Sequence, residues 1–411
     1  MPSHRWRALL LPVAAAVALS GCWLQPGFDP HHSGHNPGEQ RLTVANVATL
    51  DEAWSVTVGP DPVLAPVVSR YGVHVTSRRI LATYRLADGN RSWSVDVNEG
   101  LDPDADALAG PPVVWRDRLL VPVGFHHPHI IPPTVSYDAA TGVAGDRVAD
   151  YASNTLDGST LVGRSNTRIG DFDEGVLHST DLEDPSKNWS ILYLSNANGP
   201  ALTDRWIVTS HPAGRVDAFP RSGPTPERCQ TVDQWTICSP AWTRETATLT
   251  TAPAISDDGL TVFVGDATGT LSAVDIENGA VRWTGSVGAG AQILAAPTVG
   301  DGTVFVTTSD GRVAAFDADG CGAATCAPRW STAATGSPVR VQSALAGGVV
   351  YAGSDDGAIR AFDASGCGAT VCAPSWETSV GSAITGAPAV TRGRLVVGTA
   401  DGRLIAFRPT G

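Results

Sequence analysis

The chain has 411 residues, 42% of them hydrophobic and 17% charged, with a formal net charge of −13 at pH 7. Length alone suggests two or three domains with ample sequence for large cores. The acidic balance excludes nucleic acid and anionic lipid headgroups as electrostatic partners. Abundant glycine and proline, 44 and 29 residues, suit a fold with many tight turns.

At the N-terminus, Arg5 and Arg7 precede an apolar stretch, residues 8–19, that ends in Ser20-Gly21-Cys22. A basic start, a short apolar run and small residues mark a secretory signal, too short to span a bilayer stably. Leu19-Ser20-Gly21-Cys22 resembles the bacterial lipobox. That resemblance implies cleavage just before Cys22 and diacylation, with palmitate-type chains, on its sulfur. It makes residues 1–21 a lipoprotein signal peptide and residues 22–49 a lipid-anchored linker and lead-in. The location it implies is extracytoplasmic, tethered to a bacterial membrane. A secreted protein with a stray cysteine is the plainer alternative. Without residues 1–21 the chain keeps 26 cations against 41 acids, a net charge of −15, so membrane contact is expected through lipid and not through a basic face.

Residues 50–411 read as one repeat domain. A β-rich segment, Ala53-Trp54-Ser55-Val56-Thr57-Val58-Gly59, comes first. Ala-Pro at 65–66, 252–253, 296–297 and 387–388 opens successive units, with Gly110-Pro111-Pro112 and Gly199-Pro200 as variants. Between the first and second units, Asp102, Asp104 and Asp106 alternate in a loop and are a candidate Ca²⁺ site. The sixth-position glycine and twelfth-position glutamate of a helix–loop–helix calcium loop are missing, and a solvated acidic loop is the plainer reading. The second unit carries an insertion, residues 124–133, holding His126, His127 and His129. Neighbouring side chains of an extended loop point apart, so a surface loop fits better there than a metal site. His31, His32 and His35, in the lead-in, read as linker or as entry structure to the repeat domain. The third unit is the most degenerate.

From residue 262 the repeat is plain. Residues 262–283, 304–330, 349–376 and 395–407 each hold a β-rich run, a glycine-centred turn and a second β-rich run. The intervals from Gly269 to Gly311, Gly357 and Gly402 are 42, 46 and 45 residues. A period near 40–45 with several short strands per unit predicts an all-β propeller of four-stranded antiparallel blades. Asp310-Gly311, Asp356-Gly357 and Asp401-Gly402 fit hairpin turns. The last unit stops before an outer strand, and the segment around Trp54 matches the missing piece, so an N-terminal strand closes the ring. Counting in this way gives eight blades, with seven as the alternative.

Six cysteines form three local pairs, Cys229/Cys238, Cys321/Cys326 and Cys367/Cys372, each followed by a Cys-x-Pro-x-Trp ending. Even number, repeated geometry and an oxidising compartment predict disulfides. Each would staple the turn before a blade's outer strand. None has Cys-x-x-Cys metal spacing.

Residues 273–283, Ala-Val-Asp-Ile-Glu-Asn-Gly-Ala-Val-Arg-Trp, resemble the tryptophan-docking motif of quinoprotein (PQQ) alcohol-dehydrogenase-like propellers, with Asn278 in place of the usual Thr. The lead-in, residues 28–50, is similar to the start of that family, and the likeness spans nearly the whole chain after Cys22. The resemblance implies that Trp54, Trp93, Trp189, Trp242, Trp283, Trp330 and Trp376 dock blade on blade. Asp317 and Asp363 belong to the same structural turns. It also implies a ligand-holding face built from the loops entering each blade, including residues 59–64, 102–109, 288–294, 337–341 and 381–386. Dehydrogenases of the family carry an adjacent cysteine pair over the quinone, a calcium site and a catalytic Asp. Here no Cys-Cys pair and no Cys-x-x-Cys-His haem motif occur in the sequence. The reading is therefore a non-catalytic binding or scaffold protein that meets a protein or small molecule on the loop face. The alternatives are a PQQ- and Ca²⁺-dependent sugar or alcohol dehydrogenase, and an envelope-protein assembly lipoprotein.

Overall fold

A computed structural model describes residues 22–98, 107–125, 133–169, 172–193, 198–232, 235–248 and 250–410. Eight antiparallel sheets follow one another around a ring. The all-β, eight-bladed expectation holds, and the seven-bladed alternative does not. The second strands of the later blades, Thr261–Gly265, Thr303–Thr307 and Val349–Gly353, are buried at every position. Each is covered on both faces by neighbouring blades, which is why it is a continuous apolar run. Outer strands alternate instead, as in Val281–Ser286, where Trp283 and Gly285 face inward.

The ring closes as expected from the sequence. Leu50–Thr57 pairs antiparallel with Arg403–Pro409, with Trp54 opposite Ala406 and Thr57 opposite Arg403. Five of the eight sheets hold more than the expected four strands, and in three of them the extra strands come from the disulfide-bearing loops. The disulfides Cys229–Cys238, Cys321–Cys326 and Cys367–Cys372 are formed. Each stapled loop reaches back to the outer edge of the preceding blade. Ile237 pairs with Leu192, Thr325 with Thr284, and Val371 with Ser331. The staples thus cover strand edges that would otherwise offer unpaired backbone groups to other chains.

Seven indoles join neighbouring blades. Trp54 Nε1 donates to Leu86 O, Trp93 to Ala139 O, Trp189 to Arg221 O and Trp242 to Ile276 O. Trp283, Trp330 and Trp376 donate to Ala318 O, Ala364 O and Leu50 O. The receiving turn needs glycine: a Cβ on Gly279 (φ +72°) would stand 2.7 Å from the Trp242 ring.

Each blade's first-to-second and third-to-fourth turns lie on one face of the ring, here the lower face. The connections between blades and the second-to-third turns lie on the upper face.

Residues 22–36 are not a free linker. They run round the inside of the ring as a belt, meeting the middle of every innermost strand in turn. Val68 N and O bond Trp23 O and N at 2.6 and 3.0 Å. Val114, Leu202, Ile255, Val299 and Leu345 donate their N–H groups to the carbonyls of Leu24, Pro30, His31, Ser33 and Gly34, at 2.7–2.9 Å. At the third blade the Gln25 amide takes over, with Oε1 accepting from Leu156 N (2.9 Å) and Nε2 donating to Leu156 O (3.1 Å). At the eighth, Asn36 Nδ2 donates to Val390 O at 2.8 Å. Innermost strands have no neighbour toward the axis, so their buried backbone groups need such partners. The belt supplies them, and the propeller's own hydrogen bonding begins at residue 23, well before the closing strand.

Candidate binding site on the ring axis

Above the belt the channel opens upward as a cavity of about 460 Å³. Its wall comes from the residues just before the innermost strands, among them Gly110, Pro111, Gly199, Ala252, Ala296 and Ala387. These are the Ala-Pro and Gly-Pro positions that punctuate the sequence. Eight strands converge here, so side chains must be small, and proline brings no N–H to satisfy. At Gly110 a Cβ would sit 2.7 Å from Pro122.

The floor is the belt itself, through Pro26, Gly27 and His32. Its polar groups are already engaged. His32 Nε2 bonds Thr155 Oγ1 at 2.9 Å, and Thr155 Oγ1 donates to Pro200 O at 2.6 Å. Gln342 Nε2 donates to His32 O and Pro297 O, both at 2.8 Å. Burial, with a smaller push from His31, lowers the His32 pKa to about 4, so the ring is neutral at pH 7. Asp29, beneath, accepts from Ser33 N and Oγ at 3.0 and 2.7 Å, and burial raises its pKa.

Around the upper rim the acids of the Asp-Gly turns face arginines of their own hairpins: Asp310–Arg312 at 2.6 Å and Asp401–Arg403 at 2.8 Å. Arg360 stands 3.8 Å from Asp356 and 2.8 Å from Glu377. Gly311, Gly357 and Gly402 have φ of +82°, +79° and +83°, the left-handed backbone of tight hairpins. Residues 59–64, 288–294, 337–341 and 381–386 lie between blades on this same face.

Asp102, Asp104 and Asp106 lie outside the described residues, as do His126, His127 and His129. Among the described residues no three His, Cys, Asp or Glu side chains are grouped to hold a metal. His31, His32 and His35 belong to the belt, where His35 packs against Gly300. Cys22 is the free cysteine, buried, with Arg392 Nη2 donating toward its sulfur at 3.1 Å. Sequence reasoning missed the belt because most of its bonds use backbone atoms. Gln25 and Asn36 are the two side chains that signal it.

The family model described as outer membrane protein assembly factor BamB matches residues 233–367 and 322–411. The crystal structure of BamB from Moraxella catarrhalis superposes with a TM-score of 0.61 at 15% identity, covering 87% of this chain and 99% of that one. The chain has the PQQ-like, BamB-type propeller fold. The computationally designed Ika8 protein is similar at a TM-score of 0.65 and 15% identity, over 87% of this chain and 99% of that one. Quinohemoprotein alcohol dehydrogenase from Comamonas testosteroni is similar at 0.66 and 13% identity, over 96% of this chain and 81% of that one. At these identities the likeness concerns the fold. No curated protein matches the sequence at a significant level.

Pyrroloquinoline quinone is a tricarboxylate, and such a guest needs cations or several free donors. Among the described residues the axial cavity lines up no Arg or Lys, and its His32 is neutral at pH 7. Unpaired carboxylates there would carry a desolvation cost of several kcal/mol per ion. The described residues do not fit that cofactor.

Proposed function

We propose that the protein is a non-catalytic, lipid-anchored, extracytoplasmic propeller that acts as a binding or scaffold protein. The observation that carries this reading is the axial cavity, walled by small apolar residues and floored by the belt, with no charged side chain among the described residues of its lining. Such a pocket suits an uncharged group presented by a partner or a small molecule. The match of residues 233–411 to a model named for an assembly factor supports a scaffold role with an envelope protein as partner. The lipobox-like Leu19-Ser20-Gly21-Cys22 supports the anchor and the location.

A PQQ- and Ca²⁺-dependent dehydrogenase is the competing reading. Purified protein incubated with PQQ, Ca²⁺, a redox dye and a panel of sugars and alcohols tests it. The expected result is no dye reduction above the protein-free rate. Substrate-dependent reduction would overturn the non-catalytic reading.

A further inference from the structure

We propose that the propeller sits directly on the bilayer by its lower face, with the ring axis upright and the axial cavity opening away from the membrane. This rests on the reading of Cys22 as the anchored residue.

The first support is the lack of slack. Trp23 is 1% exposed and clamped to Val68 through both of its backbone groups. One residue reaches at most about 3.6 Å. An acylated Cys22 therefore stays within a few ångströms of the innermost strand of blade 1. The sulfur lies beside Arg392, whose Nη1 also reaches Ser69 O at 3.4 Å. Arg392 sits in the turn between Ala389–Thr391 and Arg394–Gly398, and Ser69 ends the strand Val67–Ser69. Both positions mark the lower mouth of the channel. Upward passage is closed by the belt, so acyl chains leave downward. With no linker to let the body swing, the face that Cys22 leaves from is the face the membrane meets.

Surface chemistry supports the same end independently. The exposed large hydrophobic side chains among the described residues are Val44, Val143, Leu260, Val281 and Val371, with exposures of 42–64%. Leu260 lies in the first-to-second turn of its blade and Val281 just after the third-to-fourth turn of the same blade. Val143 and Val371 lie in third-to-fourth connections, and Val44 lies in the lead-in that approaches the start of the closing strand. All five are on the lower face. Singly they would need no explanation; gathered on the face from which the anchor leaves, they fit shallow contact with the headgroup region. Contact of this kind does not depend on basic residues, in keeping with the acidic chain.

The test uses the full acylated protein on phosphatidylcholine vesicles that carry a spin-labelled headgroup lipid. Fluorophores are placed one at a time on Val143→Cys, Leu260→Cys and, on the upper face, Ala289→Cys. A six-residue strand separates the faces by roughly 20 Å. Quenching at positions 143 and 260 is expected to exceed that at 289 at least threefold. Equal quenching at all three, or stronger quenching at 289, would overturn the orientation. Mass spectrometry of the N-terminal peptide checks the anchor separately. An unmodified Cys22 defeats the anchor reading and this proposal with it, whereas an acylated Cys22 with equal quenching defeats the orientation alone.

Discussion

Gln25→Leu is the substitution that interrogates the belt most sharply. It keeps side-chain bulk but removes an amide that both donates to and accepts from the backbone of Leu156, a residue 8% exposed. Gln is needed there because the chain turns at that point: Phe28 N bonds Gln25 O, and Gly27 has φ +74°. The belt backbone is then occupied by its own turn, and the side chain bridges to the third blade. Orphaning a buried N–H and a buried C=O costs about 1–3 kcal/mol each, so the variant should lose roughly 2–6 kcal/mol. Urea unfolding of both proteins measures the change through the midpoint at constant slope. Hydrogen exchange at the Leu156 amide should speed up in parallel. A loss below about 0.5 kcal/mol with an unchanged Leu156 amide would refute the belt's seating on blade 3.

Other consequences follow from the same packing. Replacing Cys321 and Cys326 together by serine removes a six-residue closure worth about 2 kcal/mol in the chain-entropy model, read as a lower urea midpoint than that of the oxidised parent. His74, held between Ser69 Oγ and Thr83 Oγ1 at 2.7 Å each, has its pKa pushed by burial from 6.5 to about 3. The unfolded chain protonates near 6.5 while the folded one does not, so stability falls as pH drops from 6.5 toward 3, by about 1.4 kcal/mol per pH unit for this group. His32 adds a like slope down to about 4, and Asp29, whose raised pKa favours the folded state in acid, opposes both. A His74→Gln protein should lose about one such slope in unfolding free energy measured between pH 6 and 4.5. Trp54→Ala empties the joint between the closing strand and blade 1 and should cost about 3–5 kcal/mol, with faster exchange along Arg403–Pro409 as its local signature.

How much of this was legible depended on what each part uses to hold itself. The last four blades announced themselves because their turns demand particular residues: glycine at positive φ, Asp beside it, an indole that needs a glycine on the next blade. Ring closure was legible for the same reason, since the Trp54 segment repeats the sequence of an outer strand. The third blade was faint because its central strands, Thr160–Ile169 and Phe172–Asp181, run ten residues and dilute the repeat. The hairpin bearing Cys229 and Cys238 interrupts the sequence of the fourth blade yet pairs with the third. The belt left almost no pattern because carbonyl groups, common to every residue, make most of its contacts. The cavity wall was visible as Ala-Pro punctuation, whereas its floor was not visible at all.

Native-state hydrogen exchange at the seven amides of Val68, Val114, Leu156, Leu202, Ile255, Val299 and Leu345 reads out the belt directly, because each donates to it. Protection of all seven close to the free energy of global unfolding is the result expected of a belt that is part of the ring. Exchange at loop-like rates, with the second strands of the same blades still protected, would show that residues 22–36 do not occupy the channel and that the cavity has no floor.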